Sequence, residues 1–413
     1  MIGSDIGCGM AWYRVNIKRS KVDGDQGRKV ADRLRGLEGL WRSQKEREAW
    51  LTERTSKGIT QCWSAGEEWD KSLGTIGAGN HFAEIQVIES SKIEEMREDE
   101  VVLLVHSGSR GFGGHVLKSC ASDAEPSMRE DDNRAMEYLM EHKRACQWAK
   151  ANRDLIALRF LACLEPGEEA WKLGASTNGT TFGLEDIERT KRKIQARKII
   201  DIWHNNMEKI PWPPRAPTTG NSDLVTNDTA DLVTNDTADL VTNDTANLSL
   251  DQQQYAWVHR KGAAPTYNPN TCQPLSLLPL PGSRSTPTLI LRPKFSESTG
   301  WGSHNALSLA HGAGRSMSRA KALASLGQKY KNPDDLLMPI TMTMESNSDN
   351  PADIRRGSWV ICEEKELVWE EAPQAYKDVL EVADDLQKAD VAEVLGWCRP
   401  RVSYKIRRDE KSH

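Results

Sequence analysis

Between Arg134 and Leu164 apolar residues recur every three or four positions, in AMEYLMEHKRACQWAKANRDLIALRFLACL. That is the period of an α-helix with one face toward a core, and the stretch is expected to form one or two long amphipathic helices. A shorter rhythm runs through HFAEIQVIE at 81–89, VVLLVHS at 101–107, TLILRP at 288–293 and SWVICEE at 358–364. Several of these apolar or alternating runs stop at Gly or Ser clusters, the signature of strands ending in turns. Helices and strands do not alternate regularly, which favours an α+β fold over a doubly wound sheet. The longest apolar runs are strand-length, far below the roughly 18 residues of a bilayer span, so no membrane association is expected.

One stretch breaks the pattern. After the Pro-rich PWPPRAPTTG at 211–220, the eight-residue unit DLVTNDTA occurs three times between Asp223 and Ala246. The unit is too short for the common solenoids and too polar to build a layer, so residues 211–250 are expected to be a flexible insertion in one large domain spanning 1–413. The other bulk properties exclude rather than identify. A formal net charge of −5 argues against binding nucleic acid by overall attraction and restricts any RNA contact to a local surface. The eight cysteines are scattered with no CxxC pair, which predicts reduced and mostly buried thiols. The opening MIGSDIGCGM lacks the order of a secretory signal, so an intracellular protein is expected, cytoplasmic or, in a eukaryote, nuclear.

Candidate chemistry gathers in small-residue loops. DIGCGM brings Asp5 and Cys8 together through glycines, and GTIGAGNHFAEI delivers Asn80 and His81 into a strand that carries Glu84. VHSGSRGFGGH places His106 where an apolar strand opens into a loop, with Arg110 beside it. Such turns offer backbone amides to anions, and arginine adds a bidentate phosphate partner. DIWHNN sets His204 and Asn205 at the end of a helical stretch, WVHRKGAAPT offers Arg260 and Lys261 at a strand end, and PGSRS at 281–285 is a turn with free amides. Finally, HGAGRSMSR places His311 before Gly-Ala-Gly, with Arg315 and Arg319 following. A neutral imidazole is a competent nucleophile toward phosphorus, a glycine turn lets a triphosphate approach the backbone, and arginines neutralise its charge.

These motifs, with AYKDV and a near-terminal lysine, stand in the order found in the RtcB family of RNA-splicing ligases, which the chain resembles from Asp5 to Lys405. The resemblance implies a single mixed domain of sheets and helices around a central dinuclear metal site. It implies an enzyme that joins RNA 2′,3′-cyclic phosphate or 3′-phosphate ends to 5′-hydroxyl ends, using GTP, two Mn2+ ions and a guanylated histidine, here His311. By the same resemblance Asp5, Cys8, His81, His106 and His204 are the metal ligands, with the Cys8 sulfur shared. The guanylate pocket falls to Asn80, Glu84, His204, Asn205, the Pro281-Gly282-Ser283-Arg284 turn, Thr288, Gly312, Ala313, Gly314, Tyr376 and Lys405. Expected partners are RNA ends, such as tRNA halves, together with GTP and an activating protein.

Three departures qualify the implication. Only four residues precede Asp5, where the family carries a longer segment, so the chain is expected to lack that segment and to hold Asp5 and Cys8 loosely. Arg284-Ser285 stands where the family has Met-Gly, and a bulky cation there either clashes with guanine or adds a phosphate contact. Eight residues follow Lys405. The competing functions are a non-catalytic RNA-end or complex-binding protein and a metal-dependent phosphodiesterase, which needs the metals but not His311.

Overall fold

A computed structural model describes residues 3–54, 60–77, 79–120, 128–175, 182–214, 254–268, 273–339 and 358–406. Most of the 211–250 insertion, including every DLVTNDTA unit, and the residues after Ile406 lie outside the described residues.

The frame is one largely antiparallel sheet. Its strands run in the order Leu278–Pro281, Thr288–Pro293, Ala392–Ile406, Phe82–Ser91, Val101–Ser107, Gly9–Val15 and Lys198–Trp203, with Trp359–Cys362 parallel to Ala392–Ile406. Both faces are covered, which explains why the strand Val101–Ser107 is apolar from Val101 to Val105 instead of alternating. Side chains of successive residues serve opposite cores. Ala11, Tyr13, Ile85, Leu103 and Val105 pack on one side with Trp148, Leu155, Leu158 and Phe160 of the helix Asn133–Leu164. Met10, Trp12, Val102, Leu104 and Ile290 pack on the other with Val379 and Ala383 of the helix Val379–Lys388.

The long helix is single, capped at its start by the Asp132 side chain on the Arg134 N–H. It is not amphipathic along its whole length. From Ala145 to Leu161 nearly every residue is buried, including Asn152 and Arg153, because the helix lies between the sheet and the covering segments around Trp41, Trp50 and Trp171. Cysteine burial is also less complete than expected. Cys8, Cys146 and Cys398 are buried, whereas Cys62 is exposed and Cys120, Cys163 and Cys362 lie between. All seven are free thiols.

Off the main sheet, Asn205–Pro211 and Tyr255–Lys261 form a two-stranded antiparallel ribbon, and Ala263–Pro265 pairs with Ser308–Ala310. His204 therefore sits between two strands, not at a helix end. The helix Leu184–Arg197 stops earlier, where Ile199, Ile200 and Ile202 favour strand.

Candidate metal and nucleotide site

Sheet register gathers the ligand candidates. Gly9 pairs with Ser107 on one side and Trp203 on the other, while Phe82 pairs with His106. Cys8, His106, His204 and His81 consequently fall at the same end of four neighbouring strands. The Cys8 Sγ lies 3.2 Å from His81 Nε2, 3.3 Å from His106 Nε2 and 3.2 Å from His204 Nε2. Asp5 Oδ2 stands 3.6 Å from His81 Nε2. Two overlapping ligand groups result, Cys8–His106–His204 and Asp5–Cys8–His81, with Cys8 common to both.

The loop carrying Asp5 and Cys8 is firmly tied, contrary to expectation. Gly7 N–H donates to Asn205 O at 2.8 Å, His204 N–H to Cys8 O at 2.9 Å and Cys8 N–H to Asp5 O at 3.2 Å. Gly7 turns the chain at φ +73°, and a Cβ there would stand 2.9 Å from the Ala149 Cβ. Gly108 is equally constrained, since its Cβ would come within 3.0 Å of Asp5 Oδ1. Beneath the loops, the fully buried Arg153 sends Nη1 to Gly7 O at 3.0 Å and Ser107 O at 3.1 Å, and pairs with Asp201 at 2.6 Å. Its neighbour Asn152 accepts from Gly74 N–H at 2.7 Å and lies 3.2 Å from the carbonyls of Thr75 and Gly108.

Electrostatics suit a cation. Burial pushes the Cys8 thiol well above its usual range and pulls His106 and His204 well below theirs, with neighbouring imidazoles adding to the effect on both histidines. Burial also raises the Asp5 carboxyl, but hydrogen bonding and charge from His81 outweigh it and keep Asp5 below the ordinary carboxylate range. Neutral imidazoles, a carboxylate and a thiol that ionises only beside a positive charge make a donor set for divalent transition ions.

His311 follows the short strand Ser308–Ala310, and its ring centroid lies 4.2 Å from that of His204 and 6.0 Å from that of His106. Its Nδ1 is 2.6 Å from Gly262 O. A carbonyl only accepts, so Nδ1 carries the proton and Nε2 keeps its lone pair. Burial holds the imidazole below its usual pKa, against the pull of the Gly262 bond and of Asp5. Asn205 connects these parts, accepting from Gly262 N–H at 2.7 Å and donating to Asp5 at 3.4 Å.

The expected guanylate residues lie in two places. Asn80 and Asn205 stay with the metal ligands, Asn80 in the turn before His81. The Pro281–Arg284 turn packs on the His311 loop through Ala313 N–H to Pro281 O at 2.9 Å, with Gly312 close to the same carbonyl and Gly282 N–H closing the turn on Pro287 O at 3.0 Å. Ser283 O accepts from Thr286 N–H at 3.1 Å, and Gly314 O accepts from Lys377 N–H at 3.0 Å. Glu84 is fully buried, accepting from Ser285 N–H at 3.1 Å, Gln86 Nε2 at 2.9 Å and the Ser403 hydroxyl; burial pushes it up to about 7. Thr288 Oγ1 accepts from Gln86 at 2.8 Å. Lys405 donates to His81 O at 3.0 Å and is pulled down to about 8 by burial. Tyr376 donates to Glu371.

The arginines differ from expectation. Arg260 is buried and pairs with Glu208 at 2.7 Å, so it is not a phosphate group, although its neighbour Lys261 stays exposed. Arg315 and Arg319 both reach Glu371, at 3.1 and 2.9 Å. Arg110 turns back to Thr75 Oγ1 at 3.0 Å. The Arg284 side chain is buried against Val368 O, and its Nε and Nη1 find no hydrogen-bond partner among the described residues. Sequence inspection missed Glu371, which hides within the acidic run WEEAP, and Arg153, one charge among several on the helix Asn133–Leu164.

Comparison with known proteins adds to this geometry. The family described as tRNA-splicing ligase RtcB matches residues 1–174 and 222–406. The chain is 30% identical to the RNA-splicing ligase RtcB2 of Escherichia coli, over 98% of this chain and 80% of that protein. It is 28% identical to the tRNA-splicing ligase RtcB of Methanopyrus kandleri, over 79% of this chain and 30% of that protein. For the tRNA-splicing ligase RtcB of Pyrobaculum aerophilum the identity is 26%, over 86% of this chain and 63% of the relative.

Proposed function

The chain belongs to the RtcB family of tRNA-splicing ligases, and on that premise we propose that it is an RNA ligase driven by GTP and manganese. In this reading it joins a 2′,3′-cyclic phosphate or 3′-phosphate RNA end to a 5′-hydroxyl end. The observation that carries it is the His311 ring, held as the Nδ1–H tautomer by Gly262 O at 2.6 Å beside a cluster of metal-capable side chains.

His311 Nε2 attacks the α-phosphorus of GTP, a P–N bond forms and pyrophosphate leaves. The proton on Nδ1 stays with Gly262 O, which steadies the positive charge the ring acquires. A cyclic end is first opened by water, which adds to phosphorus as the P–O2′ bond breaks and the 2′ oxygen takes a proton; an oxygen of the resulting RNA 3′-phosphate then takes GMP from His311, and attack by the 5′-hydroxyl oxygen, with loss of its proton, closes the phosphodiester and releases GMP. Asp5, Cys8, His81, His106 and His204 would hold the two manganese ions, which when bound would supply Lewis-acid stabilisation of phosphate oxygens. Around them, Asn205 keeps Gly262 and hence His311 aimed, while Arg153 and Asn152 fix the ligand loops. The pocket of Glu84, Arg284, Thr288, Tyr376 and Lys405 takes the nucleoside.

The non-catalytic binding alternative rests on a loosely held Asp5–Cys8 loop and on the altered Arg284-Ser285 turn; the hydrogen bonds of the loop count against the first ground and leave the second. The test is incubation with α-phosphate-labelled GTP and Mn2+, wild type beside His311→Ala. Acid-labile label on the wild type that His311→Ala abolishes is the expected result. Unlabelled wild-type protein, folded and metal-loaded, refutes the ligase.

A further inference from the structure

The ribbon of Asn205–Pro211 and Tyr255–Lys261 grows directly out of the His204–Gly262 end of the site and, Asn205 apart, plays no part in the chemistry above. Its register pairs Asn205 with Lys261, Met207 with His259, Lys209 with Trp257 and Pro211 with Tyr255. Directly opposed residues share a face, and the two faces are unlike. Ile210 and Val258 pack inward on Tyr267 and Leu307, and Arg260 is buried with Glu208. On the other face Asn205 is buried and Met207 packs against the main core, while Tyr255, 58% exposed, the half-buried Trp257, and the exposed His259, Lys209 and Lys261 stay open.

We propose that this outer face is the platform for the single-stranded RNA that leads to the reacting end. The inference rests on the ligase reading. Three observations carry it. The face combines aromatic rings with cationic side chains, the pairing that holds single strands by stacking on bases and attraction to phosphates. In a chain of net charge −5 such a combination must be local to act. The face is also continuous with the site: Lys261 is followed by Gly262, the His311 partner, and the Lys261 Nζ passes beside Gly3 in the metal loop. At about 3.4 Å per residue the platform from Tyr255 to Lys261 is roughly 20 Å long, directed at the centre. Glu130 accepts from Lys209 and from the Trp257 side chain and fixes both on the ribbon. Stacking on any base and holding phosphates makes this platform indifferent to sequence, as expected of an enzyme that reads RNA ends.

The experiment is a fluorescence-anisotropy titration of the full chain with a labelled short single-stranded RNA ending in a 2′,3′-cyclic phosphate. Wild type, the Tyr255→Ala/Trp257→Ala double variant and the Tyr255→Phe/Trp257→Phe double variant are compared, with thermal melts to verify folding. The expected result is affinity weakened about tenfold to a hundredfold in the alanine pair and restored in the phenylalanine pair. Lys261→Gln is expected to weaken binding and to flatten its salt dependence by about one counterion. Equal affinity of wild type and the alanine pair overturns the platform, as does a loss that phenylalanine does not restore. Labelling of His311 by GTP, measured without RNA, keeps the two ideas apart: wild type that labels but does not bind this RNA sinks the platform alone, and wild type that does not label sinks the ligase reading.

Discussion

Replacing Arg153 by methionine tests whether the site depends on a charge it never touches. The guanidinium is fully buried, contacts Asp201 at 2.6 and 2.8 Å, and reaches the carbonyls of Gly7 and Ser107. In Arg153→Met, Asp201 loses its closest cation and keeps Lys198, at 3.4 Å. Removing one partner of a buried ion pair costs about 3–5 kcal/mol, and two carbonyls stripped of a donor push the loss toward the upper end. With a urea m-value of about 3 kcal/mol/M, the midpoint should fall by roughly 1.5 M. Adding Asp201→Leu removes the uncompensated carboxylate and should recover a large part of that shift. Because Gly7 and Ser107 flank Cys8 and His106, Mn2+ affinity followed by electron paramagnetic resonance should weaken about tenfold to a hundredfold. A midpoint shift below about 0.3 M, or unchanged Mn2+ affinity, would show that the loops hold themselves and refute the argument.

Two further outcomes follow from buried groups. Glu84 is raised to about 7 in the fold from an ordinary value of 4.5, so the folded state binds the extra proton and its stabilisation is lost as pH rises from about 4.5 through 7. Glu84→Gln should flatten that part of the stability–pH curve, measured by urea unfolding across the range, and an unchanged slope would refute the assignment. Arg284 is buried with two nitrogens that find no hydrogen-bond partner among the described residues, so Arg284→Met should stabilise the nucleotide-free protein by about 1–3 kcal/mol; a lower melting temperature contradicts this.

Half of the main sheet was legible, four of its eight strands being runs bounded by turns, whereas the mixed 15-residue strand Ala392–Ile406 was not. The site was legible as separate motifs, since glycine turns and histidines mark their places locally. What escaped is long-range. Nothing near Glu371 in the chain signals that Arg315, Arg319 and Tyr376 will converge on it, and these partners took both arginines away from the phosphate role their spacing suggested. His204 was misplaced because the preceding polar helix runs into its strand without a glycine or proline stop, and Arg260 because a strand-end cation looks the same in sequence whether it faces Glu208 or solvent. The sequence motifs also gave no hint of the ribbon's two faces, which arise only from the pairing of residues some 50 positions apart, such as Met207 with His259.

The ligand candidates are spread from Asp5 to His204, His311 comes later still, and Lys405, from the last strand, holds the His81 carbonyl. The metal-ligand candidates are complete by His204, whereas the proposed nucleotide residues extend into the last strand. A bound nucleotide would therefore stabilise only a completed sheet, by mass action on the native state, while a metal ion would need only the first half of the chain. Nucleotide binding would thus report that the first strand and the last have met.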